Sequence, residues 1–127
     1  MEIRFLSLSE ILLIHENQID LYGGSPGTRD INLCISAIAM PEGQFSGEYF
    51  HRNIFEMAAA YIFHISQNHP FVDANKRTAL ATALVFLDLN EIEITDPREK
   101  LYTMMIEVAS GKLNKEKISE ILKQLAT

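Results

Sequence analysis

Tryptophan is absent from this 127-residue chain, and cysteine occurs once. One cysteine excludes an internal disulfide. Cys34 lies among Leu33, Ile35 and Ala37, so its thiol reads as a small buried hydrophobe and not as a nucleophile. A chain without disulfides suits a reducing cytoplasm. No apolar run approaches the ~20 residues needed to cross a bilayer. The densest run, 79–87, is short and holds Thr82. The first seven residues lack the apolar stretch of a signal peptide, so an intracellular location is expected. Positive charge is scarce: 11 Lys and Arg stand against 17 Asp and Glu, for a net charge of -6. With no basic run to offset that balance, direct nucleic-acid binding is not expected. There is also no internal repeat, low-complexity tract or linker. His15, His51 and His64 share no metal-ligand spacing with His69, and the five methionines read as core fillers.

What is present is an ordinary apolar fraction of 47% with 22% charged residues, as a single folded domain over 1–127 requires. Apolar residues recur at helical steps through most of the chain. A first helix carries Leu8, Ile11, Leu12, Ile14, Ile19 and Leu21, with Ser7 or Ser9 as its cap, and Tyr22-Gly23-Gly24-Ser25-Pro26-Gly27 stops it. Thr28 and Asp30 are alternative caps for a second helix that ends at Met40-Pro41. Residues 42–50, rich in turn formers and aromatics, are either a loop or a short hairpin. A third helix is expected from His51 to Gln67. A fourth runs from about Ala74 to Asn90 and is apolar nearly all round, so these two should form the centre of the fold. Residues 91–95 alternate as a short extended piece would. Asp96-Pro97 is expected to start a fifth helix with Pro97 in its first turn, and Gly111 to end it. Asn114 should cap a sixth. The sequence thus describes an all-α single compact domain of about six helices, with a loop between the two central ones.

That loop concentrates the chemistry. His69-Pro70-Phe71-Val72-Asp73-Ala74-Asn75-Lys76-Arg77 brings a base, a carboxylate, an amide and two cations to a helix start. The first amides of a helix lack internal partners and, with the helix dipole, attract phosphate. Lys76 and Arg77 can offset phosphate charge, Arg77 with a forked geometry. Asp73 can hold Mg²⁺, which takes one or two carboxylates alongside phosphate oxygens. It is also expected to cap the helix. His69 can accept the proton of an attacking hydroxyl. Phe71 should point inward. Taken singly, each residue has a plainer use: a loop histidine, a cap, a solvated first turn. Two cations in a first turn oppose the helix dipole, and this favours an anion there. Arg29 and Asp30 either border the same pocket or, for Asp30, cap the second helix.

The ten residues His69 to Thr78 resemble the signature of the Fic/Doc superfamily, and more closely its Doc (death-on-curing) toxin branch. The general Fic pattern is His-Pro-Phe-x-Asp/Glu-Gly-Asn-Gly-Arg, with a further Arg three residues on. The Doc pattern is His-x-Phe-x-Asp/Asn-Ala-Asn-Lys-Arg. Ala74 and Lys76 follow Doc at both diagnostic places, and Leu80 stands where Fic enzymes carry the further Arg. The loop 22–27 with Asp30 resembles the one after the first Doc helix, so the likeness spans essentially the whole chain.

The resemblance implies a Fic/Doc-like helical fold and a transferase using ATP and Mg²⁺. His69 would be the general base and Asp73 the Mg²⁺ ligand. His69, Asp73 and Arg77 would form the catalytic set. Ala74, Asn75, Lys76 and Arg77 would hold the nucleotide phosphates. Doc-type members are kinases, whereas Fic enzymes mostly transfer AMP. Lys76 fills space that glycine leaves open and brings charge, so the triphosphate should sit differently and offer its γ-phosphate. The expectation is therefore a toxin of a toxin–antitoxin system that phosphorylates a Ser or Thr of a host protein, such as a translation component, and arrests growth. AMP transfer is the first alternative. A non-catalytic nucleotide- or protein-binding domain is the second, and the survival of His69, Phe71, Asp73, Asn75 and Arg77 argues against it. Residues 95–99 match the start of the inhibitory Fic pattern, but Lys100 breaks it. Restraint is then expected from a separate antitoxin whose partly disordered tail folds into a groove.

Overall fold

The computed structural model describes residues 2–127. Its first helix, α1 (Leu8–Tyr22), begins with a reciprocal cap. The Ser7 hydroxyl accepts from the Glu10 amide, and the Glu10 carboxylate accepts from the Ser7 amide. Asp30, not Thr28, caps α2 (Ile31–Ala39), taking the Asn32 and Leu33 amides. A two-residue antiparallel hairpin follows, β1 (Gln44–Phe45) with β2 (Glu48–Tyr49), in the register Gln44 to Tyr49 and Phe45 to Glu48. Residues 42–50 thus resolve in favour of a hairpin.

The two central helices are α3 (Ile54–Asn68) and α4 (Asn75–Leu89). They pack on each other, with α6 (Lys115–Leu125) and α2 also against α3 and α1 against α4. Small residues permit this closeness: Ala58, Ala59 and Ala60 on α3 and Ala79 and Ala83 on α4 are fully buried. Tyr61 and Phe86 meet at 5.1 Å between ring centroids in the same layer. Cys34 is fully buried, and burial pushes its thiol up to about 11. It is the inert core thiol that its neighbours in sequence indicate.

Two helix starts differ from expectation. Helix α3 begins three residues after His51, because the Asn53 side chain takes the Phe55 and Glu56 amides and sets the boundary there. Helix α5 (Lys100–Ala109) begins after Pro97, not on it. Residues 96–99 form a turn, and the Asp96 carboxylate reaches forward to the Lys100 and Leu101 amides. The extended piece 91–95 pairs through Ile94 with Ala126. Asn114 caps α6 as expected. No helix among the described residues is long and apolar enough to cross a membrane.

Candidate active site

Five residues, 70–74, join His69 at the end of α3 to Asn75 at the start of α4. His69 closes α3 in a left-handed conformation, φ 53°, and its amide still bonds to Ile65. A non-glycine residue in this region costs on the order of 1–2 kcal/mol, so neighbouring contacts must hold it. Arg29 supplies two: Nε donates to the His69 carbonyl at 2.8 Å and Nη2 to the Asn68 carbonyl at 3.0 Å. The Arg29 and Asp30 amides both donate to the Pro70 carbonyl, and the Val72 amide donates to Gly27. Thr28, read as a possible cap, instead pairs with Phe71 across this seam.

From below, the loop rests on two rings. Phe71 is fully buried and stacks on His15, with centroids 3.9 Å apart and planes 6° from parallel. His15 Nε2 donates to the Asp73 carbonyl at 3.0 Å. Asn75 ties the loop from within. Its side-chain oxygen accepts the Phe71 amide at 2.8 Å, and its nitrogen donates to the Phe71 carbonyl at 3.0 Å. The second N–H on that nitrogen meets His69 Nδ1 at 3.2 Å. The Asn75 side chain, 3% exposed, is therefore occupied inside the protein. Its backbone amide has no protein acceptor among the described residues.

Asp73 does not cap α4. Ala74, itself left-handed at φ 62°, is the cap residue and makes no side-chain bond. The Asp73 oxygens are engaged elsewhere: Oδ1 accepts the Ala74 amide at 2.8 Å and Oδ2 the Ser25 amide at 3.0 Å. The Ser25 amide first, then the Ala74 amide and the charge of Arg77, hold this carboxyl below the usual range. It is an exposed, ionised carboxylate. The first α4 amides, at Asn75, Lys76 and Arg77, are consequently left without a protein acceptor among the described residues.

These groups open on one cleft of about 550 Å³, lined by His69, Asp73, Lys76 and Arg77 with Tyr22 and Gly24 opposite. That volume lies in the range of small-ligand sites. Arg77 donates to the Gly23 carbonyl at 2.7 Å, and its guanidinium carbon lies 5.9 Å from the centre of the Tyr22 ring. It thereby closes the C-terminal end of α1, where a cation is favoured. Among the described residues no three His, Cys, Asp or Glu are grouped to hold a metal ion. A lone ionised Asp73 suits Mg²⁺ that arrives with phosphate oxygens as its other ligands.

His69, Asp73, Ala74, Asn75, Lys76 and Arg77 are thus all brought to the cleft. Sequence reasoning set Arg29 beside the pocket but missed its hold on the loop, and it missed His15. Arg29 and His15 come from distant positions and left no periodic signal. Gly24 could have been found, because a glycine pair after a helix signals close approach. Its φ is +121°, and an added Cβ would lie 2.8 Å from Asp73 Oδ2 and 3.3 Å from Arg77 Nη2. Gly24→Ala should therefore displace both side chains. A displacement of these side chains that costs ~1–3 kcal/mol corresponds to about 5- to 150-fold weaker binding at the expected nucleotide site, as read by calorimetric titration with ATP-Mg. Unchanged affinity would show that the close approach is unnecessary.

Comparison with known proteins places these features in a family context. The model of the Fic/DOC family matches residues 5–87, which contain the whole cleft. The chain is similar to the protein kinase doc of Escherichia phage P1, at 32% identity over 122 residues, covering 96% of this chain and 95% of that one. It is also similar to the toxin Doc of Mycolicibacterium smegmatis, at 36% identity over 73 residues, 58% of this chain and 56% of that one.

Proposed function

Since the chain belongs to the Fic/DOC family, we propose that it is the toxin of a toxin–antitoxin pair, a protein kinase that moves the γ-phosphate of ATP to a Ser or Thr hydroxyl of a host protein. The observation that carries this reading is the start of α4. Its free amides open on a cleft that also holds an ionised carboxylate, a lysine, an arginine and a histidine. The relative named as a protein kinase, similar over nearly its whole length, supports the transferred group. So does Lys76, set where AMP-transferring relatives have glycine.

In the proposed reaction, the amides of Asn75, Lys76 and Arg77 hold phosphate oxygens, aided by the two cations. Asp73 would hold the Mg²⁺ that enters with ATP, which would supply countercharge for the phosphates. The acceptor oxygen attacks the γ-phosphorus, the bond to the β-phosphate oxygen breaks, and ADP leaves. His69 takes the hydroxyl proton. The Asn75 N–H points at His69 Nδ1, so a neutral ring carries its proton on Nε2. The base role requires this 3.2 Å contact to open.

A bacterial lysate supplied with ATP labelled at either the α- or the γ-phosphate decides the group. Label should reach protein only from the γ position. Label from the α position alone would replace this reading with AMP transfer, and binding of ATP without labelling would make the chain a nucleotide-binding domain. The reading also places the chain in the cytoplasm. Its partner there is an antitoxin whose disordered tail folds into a surface groove and restrains it, so expression without that partner should arrest growth.

A further inference from the structure

Away from the cleft, a second group of titratable side chains surrounds Lys115 at the start of α6. Its Nζ lies 3.0 Å from His64 Nε2 on α3 and 3.5 Å from His51 Nε2, between β2 and α3. The ring of Phe63 lies beneath, 5.7 Å away at its centroid. Among the described residues no carboxylate comes within ion-pair distance of this amine, although the chain carries 17 acids. Its polar neighbours are bases. To accept from an ammonium, each imidazole must present a lone pair at Nε2 and carry its proton on Nδ1. Protonating either ring would bring two cations into contact.

The environment is consistent with an amine that gives up its proton easily. Burial lowers the Lys115 pKa. Burial first, then the Lys115 charge and His51, lower His64 to about 4. Burial and Lys115 also lower His51, against the opposing charge of Glu56. The amine is reachable: Lys115 lines a cleft of about 520 Å³, whose other charged members are Arg52, Glu56 and Glu116. Phosphate transfer at the α4 cleft uses none of these groups.

We propose that Lys115 is an acylation site whose amine takes the acyl group of a small acyl phosphate entering the cleft beside Arg52. The Lys115 nitrogen attacks the carbonyl carbon, a C–N bond forms, and the C–O bond to phosphate breaks. The amine proton passes to the departing group, which leaves as monohydrogen phosphate, while His64 Nε2 accepts the hydrogen bond that orients the amine. A desolvated lysine next to other bases is the usual way an amine is made nucleophilic. Arg52 supplies countercharge for the phosphate, while Glu56 and Glu116 disfavour large polyanionic donors.

The full chain incubated with acetyl phosphate tests this, with acetylation followed at each lysine by mass spectrometry. Lys117 and Lys123, on the same helix and exposed, are internal references. Lys115 should react several-fold faster than either, and its rate should rise at a lower pH. His64→Gln should bring the Lys115 rate down to that of Lys117 and leave Lys117 unchanged. A Lys115 rate at or below that of Lys117 in the wild-type chain would overturn the proposal, whatever the variant does. Fast modification by a neutral acetylating ester but not by acetyl phosphate would overturn the donor class.

Discussion

His69→Ala is expected to remove the proposed phosphate transfer while leaving the fold in place. The imidazole is exposed, and its one polar contact is the 3.2 Å approach of Asn75. The structural duties of this residue belong to its backbone: the amide bonds to Ile65, and the carbonyl accepts from Arg29. Alanine keeps both. The melting temperature should therefore move by no more than a surface substitution does, about 0.5 kcal/mol of stability. Loss of a positioned base removes about 10²–10⁴ of the rate. Incorporation of γ-labelled phosphate into lysate protein measures the activity, and circular dichroism on heating measures the fold. In cells, the same change should abolish growth arrest. Full labelling by the alanine variant would remove His69 as the base and leave a mechanism of positioning and charge alone.

Asp73 separates what can be read in a sequence from what cannot. The expectation that it is an ionised group beside a phosphate-binding helix start follows from residue type and neighbours. Its partner, the Ser25 amide, is 48 positions away, and no local rule pairs them. Because that partner takes Oδ2, the carboxylate cannot turn to cap α4, and the helix start stays open to an anion. The six helices were legible because apolar periodicity records which face is buried, and α3 and α4 stood out by their width of apolar surface. Helix ends were legible only where the cap side chain was weighed. Asn53 with Glu56 is such a signal, and it sets the start of α3 later than His51. At α5, Pro97 suits a first turn, but Asp96 acts from one turn upstream, a choice that depends on the backbone path between. The motif from His69 to Arg77 was legible since its members are adjacent in the chain. The grip of Arg29 and His15 on the loop was not, because each acts through tertiary pairing.

That pairing makes Asn75 the more consequential residue for stability. Asn75→Ala deletes three contacts at once and leaves the Phe71 amide and carbonyl buried without partners. An unsatisfied buried backbone group costs about 1–3 kcal/mol, so the pair amounts to ~2–6 kcal/mol. For a domain of this size each kcal/mol lowers the melting temperature by several degrees, giving a fall of about 10 °C. Asn75→Asp separates the two halves of the interaction. It keeps an acceptor for the Phe71 amide, yet it sets a carboxylate oxygen against the Phe71 carbonyl and removes the donor facing His69. It should be at least as destabilising as alanine. Both variants should also lose labelling activity, since the loop that fixes His69 and the start of α4 would no longer be tied together. His69→Ala and Asn75→Ala are then distinguishable by one comparison: the first is inactive with wild-type melting, the second inactive with a lowered transition. A wild-type melting curve for Asn75→Ala would mean that Arg29 and His15 hold the loop without it, and the internal tie would be redundant.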